Sequence, residues 1–176
     1  MPIVVKDNYD AMPLNTTSSC PAAAANNSIE DSPTVKAIQD AGAIILGKTN
    51  LHELALEVLS VSSLGGQTHN PYDPKCTSGG SSDGSGAAVA ASFTVFATGT
   101  DTVHSLRNPA ASNSLVTVRP TRGLITRAGV IPISFTQDTI RAMGRTVKYL
   151  ARALTAMTCV VMMRETMRRA TFRLVL

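Results

Sequence analysis

Two short apolar runs separated by one amphipathic segment constrain the fold more than any other feature of the chain. Residues 2–5 form the first run and residues 43–46 form the second. Between them, Ser32-Pro33 supplies an N-cap followed by proline at the first helical position, and Gly42 is well placed to end the helix. This order predicts two buried strands joined by a helix.

The same alternation continues along the rest of the chain. Asn50 and Glu53 have the spacing of a capping box, which predicts a short helix through Leu56. Further helices are expected over residues 87–91, just after Ser105 and over 145–158, and further strands over 93–97, 115–118 and 130–133. The sequence therefore predicts an α/β fold, with a layered, mixed or largely parallel β-sheet flanked by helices.

Length and composition restrict the class of protein. The chain has 176 residues, which suits one domain with a hydrophobic core. Its 44% hydrophobic and 16% charged residues exclude intrinsic disorder. No stretch approaches the ~18 consecutive apolar residues of a membrane span, and the first ten residues lack the pattern of a secretory signal.

The basic charge of the chain lies mostly at its C-terminal end. The formal net charge is +4, and residues 161–176 contribute four arginines and one glutamate to it. Aromatic residues make up 4% and tryptophan is absent, so the sequence lacks the stacking groups that accompany nucleic-acid binding. We expect a core over residues 1–159 and a basic amphipathic tail over 160–176. A docked terminal helix is favoured for the tail, with membrane-surface or partner binding as alternatives.

Three cysteines, Cys20, Cys76 and Cys159, are widely spaced along the sequence. Their odd number and the absence of a C-x-x-C pair argue against both a disulfide framework and a zinc site. A reducing compartment fits this pattern, so we expect a cytoplasmic protein.

Taken one at a time, the polar motifs indicate little chemistry. The glycine- and serine-rich residues 78–86 lack the lysine of a phosphate-binding loop, and Ser105 lacks the G-x-S-x-G elbow of α/β-hydrolases. His104 is adjacent to Ser105 and cannot face it from a helix start. We interpret His52 and His69 as structural or solvated residues.

Taken together, six segments resemble the amidase signature family of serine hydrolases. They are VVKDN at 4–8, AGAIILGKTNLHE at 41–53, GGQTHNPYDP at 65–74, SGGSSDGSGAAVAA at 78–91, GTDTVHSLRNPA at 99–110 and RPTRGLITRAGVIPISFTQDT at 119–139. Their order and spacing are far more specific than any single motif. The resemblance covers most of the chain, from Pro2 to about Thr158.

The resemblance implies a catalytic triad of Lys6, Ser81 and Ser105 and a C–N hydrolase acting on small or linear amides. In that family Ser105 would attack the carbonyl carbon, Ser81 would relay the proton to Lys6, and water would hydrolyse the acyl-enzyme. A lysine can accept a proton only when neutral, and burial lowers its pKa in that direction. The resemblance also implies a cis Gly80–Ser81 peptide bond, no metal and no cofactor. The implied oxyanion hole consists of the backbone N–H groups of Thr102, Val103, His104 and Ser105.

Three positions depart from the family pattern. Val103-His104 stands where many members have Gly-Gly, Asp83 stands where glycine is usual, and Arg141-Ala142 replaces Gly-Pro. A carboxylate at Asp83, if buried near Lys6, would favour the charged ammonium and raise the pKa of the lysine.

The family implies a longer protein than this chain. Its members normally run to several hundred residues, so we expect a truncated amidase that retains part of the fold. The alternative is a catalytically inactive remnant that acts as an interaction module, with a second copy covering the exposed sheet face. A glutamine amidotransferase role is also represented in the family, and it would require partner subunits.

Overall fold

A mixed five-stranded sheet forms the centre of the fold. The computed structural model describes the backbone of residues 1–169 and the side chains of residues 1–158. The sheet contains β1 (Pro2–Lys6), β2 (Ile44–Thr49), β5 (Phe96–Asp101), β6 (Val116–Thr117) and β7 (Thr139–Gly144), and a separate two-stranded ribbon contains β3 (Val61–Ser62) and β4 (Gly66–Gln67). The helices are α1 (Pro33–Asp40), α2 (Asp83–Ala90), α3 (Arg107–Ser112) and α4 (Val147–Arg169).

The strand order is β2-β1-β5-β7-β6. Strand β1 runs parallel to both β2 and β5, whereas β7 runs antiparallel to β5 and β6. The prediction of a layered, mixed α/β sheet is therefore confirmed. Because β1 and β5 are parallel neighbours, their carboxyl ends meet at the same edge of the sheet.

Two hydrophobic clusters cover the two faces of this sheet. Helices α1 and α4 cover one face, on which Ile3 and Val5 of β1 contact side chains such as Phe96 and Met157. Helices α2 and α3 lie on the side where Val4 contacts a smaller cluster. The remaining members of that cluster are Val89, Ala97, Leu106 and Met143. Both faces of β1 are thus buried, which agrees with its continuous apolar sequence.

The N-terminal half of α1 follows its sequence closely. The Ser32 hydroxyl accepts a hydrogen bond from the Val35 N–H at 3.2 Å, and Pro33 occupies the first helical position. Gly42 follows the helix with a φ of +88°, a conformation that glycine adopts most readily. The predicted cap and stop residues of this helix are confirmed.

The predicted capping box at Asn50 is wrong. The side chain of Asn50 accepts hydrogen bonds from the hydroxyls of Ser19 and Ser62 and does not cap a helix. Only a short 3₁₀ turn forms at Glu53–Ala55, and Leu54 within it has a φ of +54°. Distant hydroxyl groups therefore occupy the oxygen that the local pattern assigned to a helix start.

Other boundaries also differ from expectation. Helix α2 begins at Asp83, four residues before the predicted start, and β5 spans 96–101 instead of 93–97. The predicted strand over 130–133 is reduced to one bridge between Val130 and Tyr9. Strand β7 was not predicted, because its sequence TIRAMG is buried on both faces yet carries a central arginine.

The predicted C-terminal tail lies partly outside the described residues. The backbone of α4 is helical to Arg169, past the predicted end at residue 158. The side chains of residues 159–176, which include Cys159 and the apolar stripe of the tail, lie outside the described part. The division into a core and a tail therefore stays a prediction.

Candidate active site

Lys6 lies at the centre of a buried polar cluster. It is the last residue of β1, and its side chain is fully buried. Its Nζ donates hydrogen bonds to Ser81 Oγ at 2.9 Å, to Ser82 Oγ at 3.0 Å and to Thr100 Oγ1 at 2.7 Å. The three hydroxyls come from the loop before α2 and from β5, which ends beside β1.

Burial changes the protonation of this lysine. It lowers the pKa of Lys6 from 10.5 to about 7, since the ammonium form loses its hydration. The carboxylates of Asp83, Asp101 and Asp138 act in the opposite direction but with smaller effect. A substantial fraction of Lys6 is therefore neutral near pH 7 and able to accept a proton.

The loop before α2 presents Ser81 and Ser82 to Lys6. The Gly80–Ser81 peptide bond is cis, as the family resemblance implied. Gly79 has a φ of +70°, and a Cβ there would lie 2.3 Å from Asn108 Oδ1, so the loop needs glycine at this position. The Ser82 N–H donates to the Ser105 carbonyl oxygen at 3.0 Å, which joins this loop to the segment after β5.

Ser105 lies between β5 and α3 and is 5% exposed. Its backbone carbonyl contacts Ser82, so the structure brings the predicted nucleophile into the same cluster as Lys6 and Ser81. Within the part of the chain that the structure describes, no hydrogen bond joins the Ser105 hydroxyl to Ser81. The direct contact in the predicted triad is thus the one between Lys6 and Ser81.

The segment 102–105 offers free backbone donors. Among the described residues, none of its N–H groups donates a hydrogen bond, whereas the next two N–H groups, of Leu106 and Arg107, both donate to Asp101 Oδ2 at 3.3 Å. Val103 is 64% exposed, so its side chain points away from the core. Such a turn leaves donors available for an anionic oxygen beside Ser105.

Asp101 organises this turn, although no motif in the sequence predicted a role for it. The carboxylate is fully buried and forms ion pairs with Arg107 at 3.0 Å and Arg119 at 3.3 Å. Arg119 also donates to the carbonyl oxygen of Thr102 at 3.2 Å. The available signal was an aspartate at the end of an apolar strand, because a buried carboxylate requires positive or N–H partners.

Asp83 is fully buried, and its charge raises the pKa of Lys6 as expected. Its Oδ1 accepts hydrogen bonds from Thr68 Oγ1 at 2.9 Å and from the Gly84 N–H at 2.8 Å. Its Oδ2 has no partner among the described residues, and burial raises the pKa of this carboxyl group. The expected effect on Lys6 is present, but burial of the lysine outweighs it.

The histidines take no part in the cluster. His52 Nδ1 accepts a hydrogen bond from the Val61 N–H at 3.2 Å, and the side chain of His104 is exposed. In the described residues, no group of three or more His, Cys, Asp or Glu side chains is arranged to hold a metal ion. No helix in the described part of the chain is both long and apolar enough to cross a membrane.

Comparison with known proteins assigns this chain to a family. The family model named Amidase matches residues 1–173. A urea amidolyase of Lachancea kluyveri is 44% identical over 140 residues, which cover 80% of this chain and 8% of that protein. A glutamyl-tRNA(Gln) amidotransferase subunit of Symbiobacterium thermophilum is 41% identical over 152 residues, which cover 86% of this chain and 31% of that protein.

A solved structure is also similar to this chain in both fold and sequence. The native peptide amidase from Stenotrophomonas maltophilia superposes with a TM-score of 0.87 at 43% sequence identity. The match covers 89% of this chain and 33% of that protein. The chain therefore spans about a third of the length of the peptide amidase and of the amidotransferase subunit.

Proposed function

The chain belongs to the amidase family, and from this premise we propose that it hydrolyses the C–N bond of small or linear amides through Ser105. The observation that carries the proposal is the buried pair of Lys6 and Ser81, whose Nζ and Oγ are 2.9 Å apart. A lysine with a pKa of about 7 can act as a base at neutral pH, which an ordinary lysine cannot.

In the proposed reaction, Ser105 Oγ forms a bond to the amide carbonyl carbon while its proton passes to Ser81 and the Ser81 proton passes to Lys6. The carbonyl oxygen becomes an oxyanion, which the N–H groups of residues 102–105 stabilise. The C–N bond then breaks, and the amine leaves with the proton returned from Lys6 through Ser81. Water hydrolyses the resulting acyl-enzyme by the same relay and releases the acid.

The relay also requires a hydrogen bond from the Ser105 hydroxyl to Ser81, which is absent among the described residues. The Ser82 N–H donates to the Ser105 carbonyl oxygen at 3.0 Å, and this bond holds the segment of Ser105 against the loop that carries Ser81. Catalytic hydrogen bonds are often incomplete before substrate binds. Thr100 and Ser82 hold the remaining hydrogen bonds of Lys6, which keeps the amine oriented toward the loop.

Intact-mass analysis after treatment with a fluorophosphonate probe tests the proposal. We expect one adduct on the wild-type chain, mapped to Ser105 by peptide sequencing, and none on Ser105→Ala. A folded wild-type protein that gives no adduct would overturn the proposal and favour the inactive alternative. Hydrolysis of a small amide, followed by release of ammonia or amine, then measures turnover.

We also propose that a second copy of the chain covers the exposed sheet face. Ile44 and Leu46 alternate along β2, the outermost strand on one side, so their side chains lie on one face, and they are 64% and 57% exposed. An exposed apolar face favours association with another chain. Light scattering should give twice the monomer mass for the wild type and the monomer mass for Leu46→Lys; a monomeric wild type would refute association.

A cytoplasmic location is the last part of the proposal. Its support is the cysteine pattern, in which Cys20 and Cys76 are both free thiols. Cell fractionation with a tagged chain would test it, since recovery in a membrane or secreted fraction would contradict the assignment.

A further inference from the structure

A cavity of about 320 Å³ lies beside the proposed oxyanion segment. Its polar side contains Thr100, which contacts Lys6, and Thr102, which begins that segment. Its volume lies within the range of small-molecule sites, about 300 to 1,000 Å³. The apolar side of the cavity is formed by Val130, Ile131, Ile133, Phe135 and Ile140.

Asn8 also lines this cavity, and one of its polar atoms has no partner among the described residues. The side chain is 1% exposed, and its Nδ2 donates to Thr100 Oγ1 at 3.3 Å. Its Oδ1 receives no hydrogen bond from any described residue. A buried carbonyl oxygen without a donor is unfavourable, and a ligand N–H placed in the cavity would satisfy it.

The second acceptor on the polar side is the carboxylate of Asp138, which is 7% exposed. One oxygen accepts from Thr102 Oγ1 at 2.6 Å, and the other accepts from the N–H groups of Ile133 and Ser134 at 2.9 and 3.0 Å. It forms no ion pair with the described residues. The cavity therefore combines an unpaired negative charge and a free carbonyl oxygen with an apolar wall.

Among the described residues, Arg127 is the cationic side chain that lines this cavity, and its guanidinium group donates hydrogen bonds to the backbone. Its Nη1 donates to the carbonyl oxygen of Phe135 at 2.9 Å. Its charge thus helps to hold the wall around Phe135, whereas the side-chain hydrogen-bonding capacity left on the polar side belongs to acceptors.

We propose that the cavity binds an apolar substrate group that carries an N–H donor, with Asn8 Oδ1 accepting from that N–H as a specificity-determining contact. This inference rests on the proposed function, because the cavity adjoins Thr100 and Thr102 and so places the bound group next to the scissile amide. The favoured substrates are amides whose apolar side chain is accompanied by an amine or a second amide, rather than simple aliphatic amides.

Four primary amides with the same isobutyl group test this preference. L-Leucinamide and N-acetyl-L-leucinamide carry an N–H in addition to those of the scissile amide, 4-methylpentanamide lacks this additional N–H, and 4-methyl-2-oxopentanamide carries an acceptor in its place. For the wild-type chain we expect kcat/KM to be at least about tenfold higher for the two N–H compounds, mainly through KM, since a buried acceptor discriminates strongly against a ligand that leaves it unpaired. Equal values, or a preference for the oxo compound, would overturn the proposal.

Substitutions test whether Asn8 causes the preference for amides with an additional N–H. Asn8→Leu keeps the size of the side chain but removes the acceptor, so the ratio between N-acetyl-L-leucinamide and 4-methylpentanamide should fall to about one. Asn27→Leu, at an exposed position, should keep the wild-type ratio. Asp138→Asn separates the two sources of the N–H. Loss of its charge changes the pKa of Lys6 for all four amides alike, but it should lower the kcat/KM of L-leucinamide relative to that of N-acetyl-L-leucinamide, because only the former carries an ammonium group. An unchanged ratio in Asn8→Leu would overturn the proposal.

Binding measurements separate this inference from the proposed reaction. Dissociation constants of the same amides, obtained by NMR titration of the full chain, require no turnover. The wild type alone, and not Asn8→Leu, should bind 4-methylpentanamide more weakly than N-acetyl-L-leucinamide. This result together with no fluorophosphonate adduct would support the proposed role of the cavity and count against the hydrolase. Equal dissociation constants in a chain that does form the adduct would reject the cavity and leave the hydrolase standing.

Discussion

Lys6 Nζ and Ser81 Oγ lie 2.9 Å apart although 75 positions separate the two residues in the chain. The contact forms because β1 ends at Lys6 and the loop before α2 passes over that end of the strand. Thr100, from the neighbouring strand β5, completes the site around the amine. A lysine so enclosed loses its hydration, and this loss lowers its pKa to about 7, so that the neutral, proton-accepting form is present at the pH of the proposed reaction.

Replacement of this lysine should abolish the activation of Ser105. Methionine has a similar length and needs no hydrogen bonds, so Lys6→Met should fold while fluorophosphonate labelling slows by about 10² to 10⁴-fold, the usual contribution of a general base. The rate of adduct formation measures the effect. Lys36→Met, on the exposed surface of α1, is the control and should label at the wild-type rate. Equal rates in both variants would remove Lys6 from the mechanism.

The labelling rate should rise with pH and reach half its maximum near pH 7. Only neutral Lys6 accepts a proton, and its pKa is about 7. The pKa of Lys6 is about 7 in the folded chain and 10.5 in the unfolded chain. Between pH 7 and pH 10.5 this lysine is therefore protonated in the unfolded chain and neutral in the folded one. This lysine's contribution to stability is therefore complete above pH 10.5 and is lost as pH falls toward 7. A flat labelling profile from pH ~5 to ~9 would contradict the assignment.

Removal of the charge of Asp83 should shift that profile to lower pH. Its carboxylate raises the pKa of Lys6, whereas asparagine is neutral and can still accept hydrogen bonds from Thr68 and Gly84. The midpoint of labelling against pH is the measurement for Asp83→Asn. Asp73→Asn, in an exposed turn, should leave the midpoint unchanged, and a shift to higher pH in Asp83→Asn would refute the electrostatic argument.

Arg141 should be replaceable with a gain in stability. This residue of β7 is 4% exposed, its Nε has no partner among the described residues, and burial lowers the pKa of its guanidinium. Arg141→Met removes a buried charge that forms no ion pair with the described residues, and we expect the free energy of unfolding to rise by about 1 to 3 kcal/mol. Urea denaturation measures the change. Arg152→Met, at an exposed position of α4, should change it by less than about 0.5 kcal/mol.

Two glycines in strands should differ sharply in their tolerance of alanine. A Cβ at Gly99 would lie 2.5 Å from Leu106 Cδ1 and 2.8 Å from Ser82 Oγ, whereas a Cβ at Gly47 meets no atom within 4 Å. Gly99→Ala should therefore lower the free energy of unfolding by about 1 to 3 kcal/mol and slow labelling by displacing Ser82. Gly47→Ala is the matched control, and equal losses in both variants would contradict the packing argument.

The elements that the sequence predicted well are those with a local cause. Strand β1 has an uninterrupted apolar sequence, and α1 has a serine cap, a proline and a terminal glycine. Each of these signals acts over a few residues and needs no distant partner. The mixed α/β architecture followed from the alternation of such elements.

The failures have a tertiary cause. Strand β7 pairs with β5 in an antiparallel register, from Phe96 opposite Gly144 to Asp101 opposite Thr139, and this pairing covers residues that lack a strand pattern. Asn50 was assigned to a helix cap, but the hydroxyls of Ser19 and Ser62 donate to it from other loops. Long-range partners outweighed local propensity at both places.

Motif order and apolar runs are properties of the chain, so they were enough to predict the family, the strands β1 and β2, and the residue types of the candidate site. Which of those residues make contact depends on how distant segments pack. Lys6 contacts Ser81 directly, Ser105 is joined to Ser82 through the backbone, and Asp101 accepts hydrogen bonds from the N–H groups that follow Ser105. Hydrogen bonding and desolvation depend on distances of a few ångströms, and the packing of β1, β5 and the loop before α2 sets these distances.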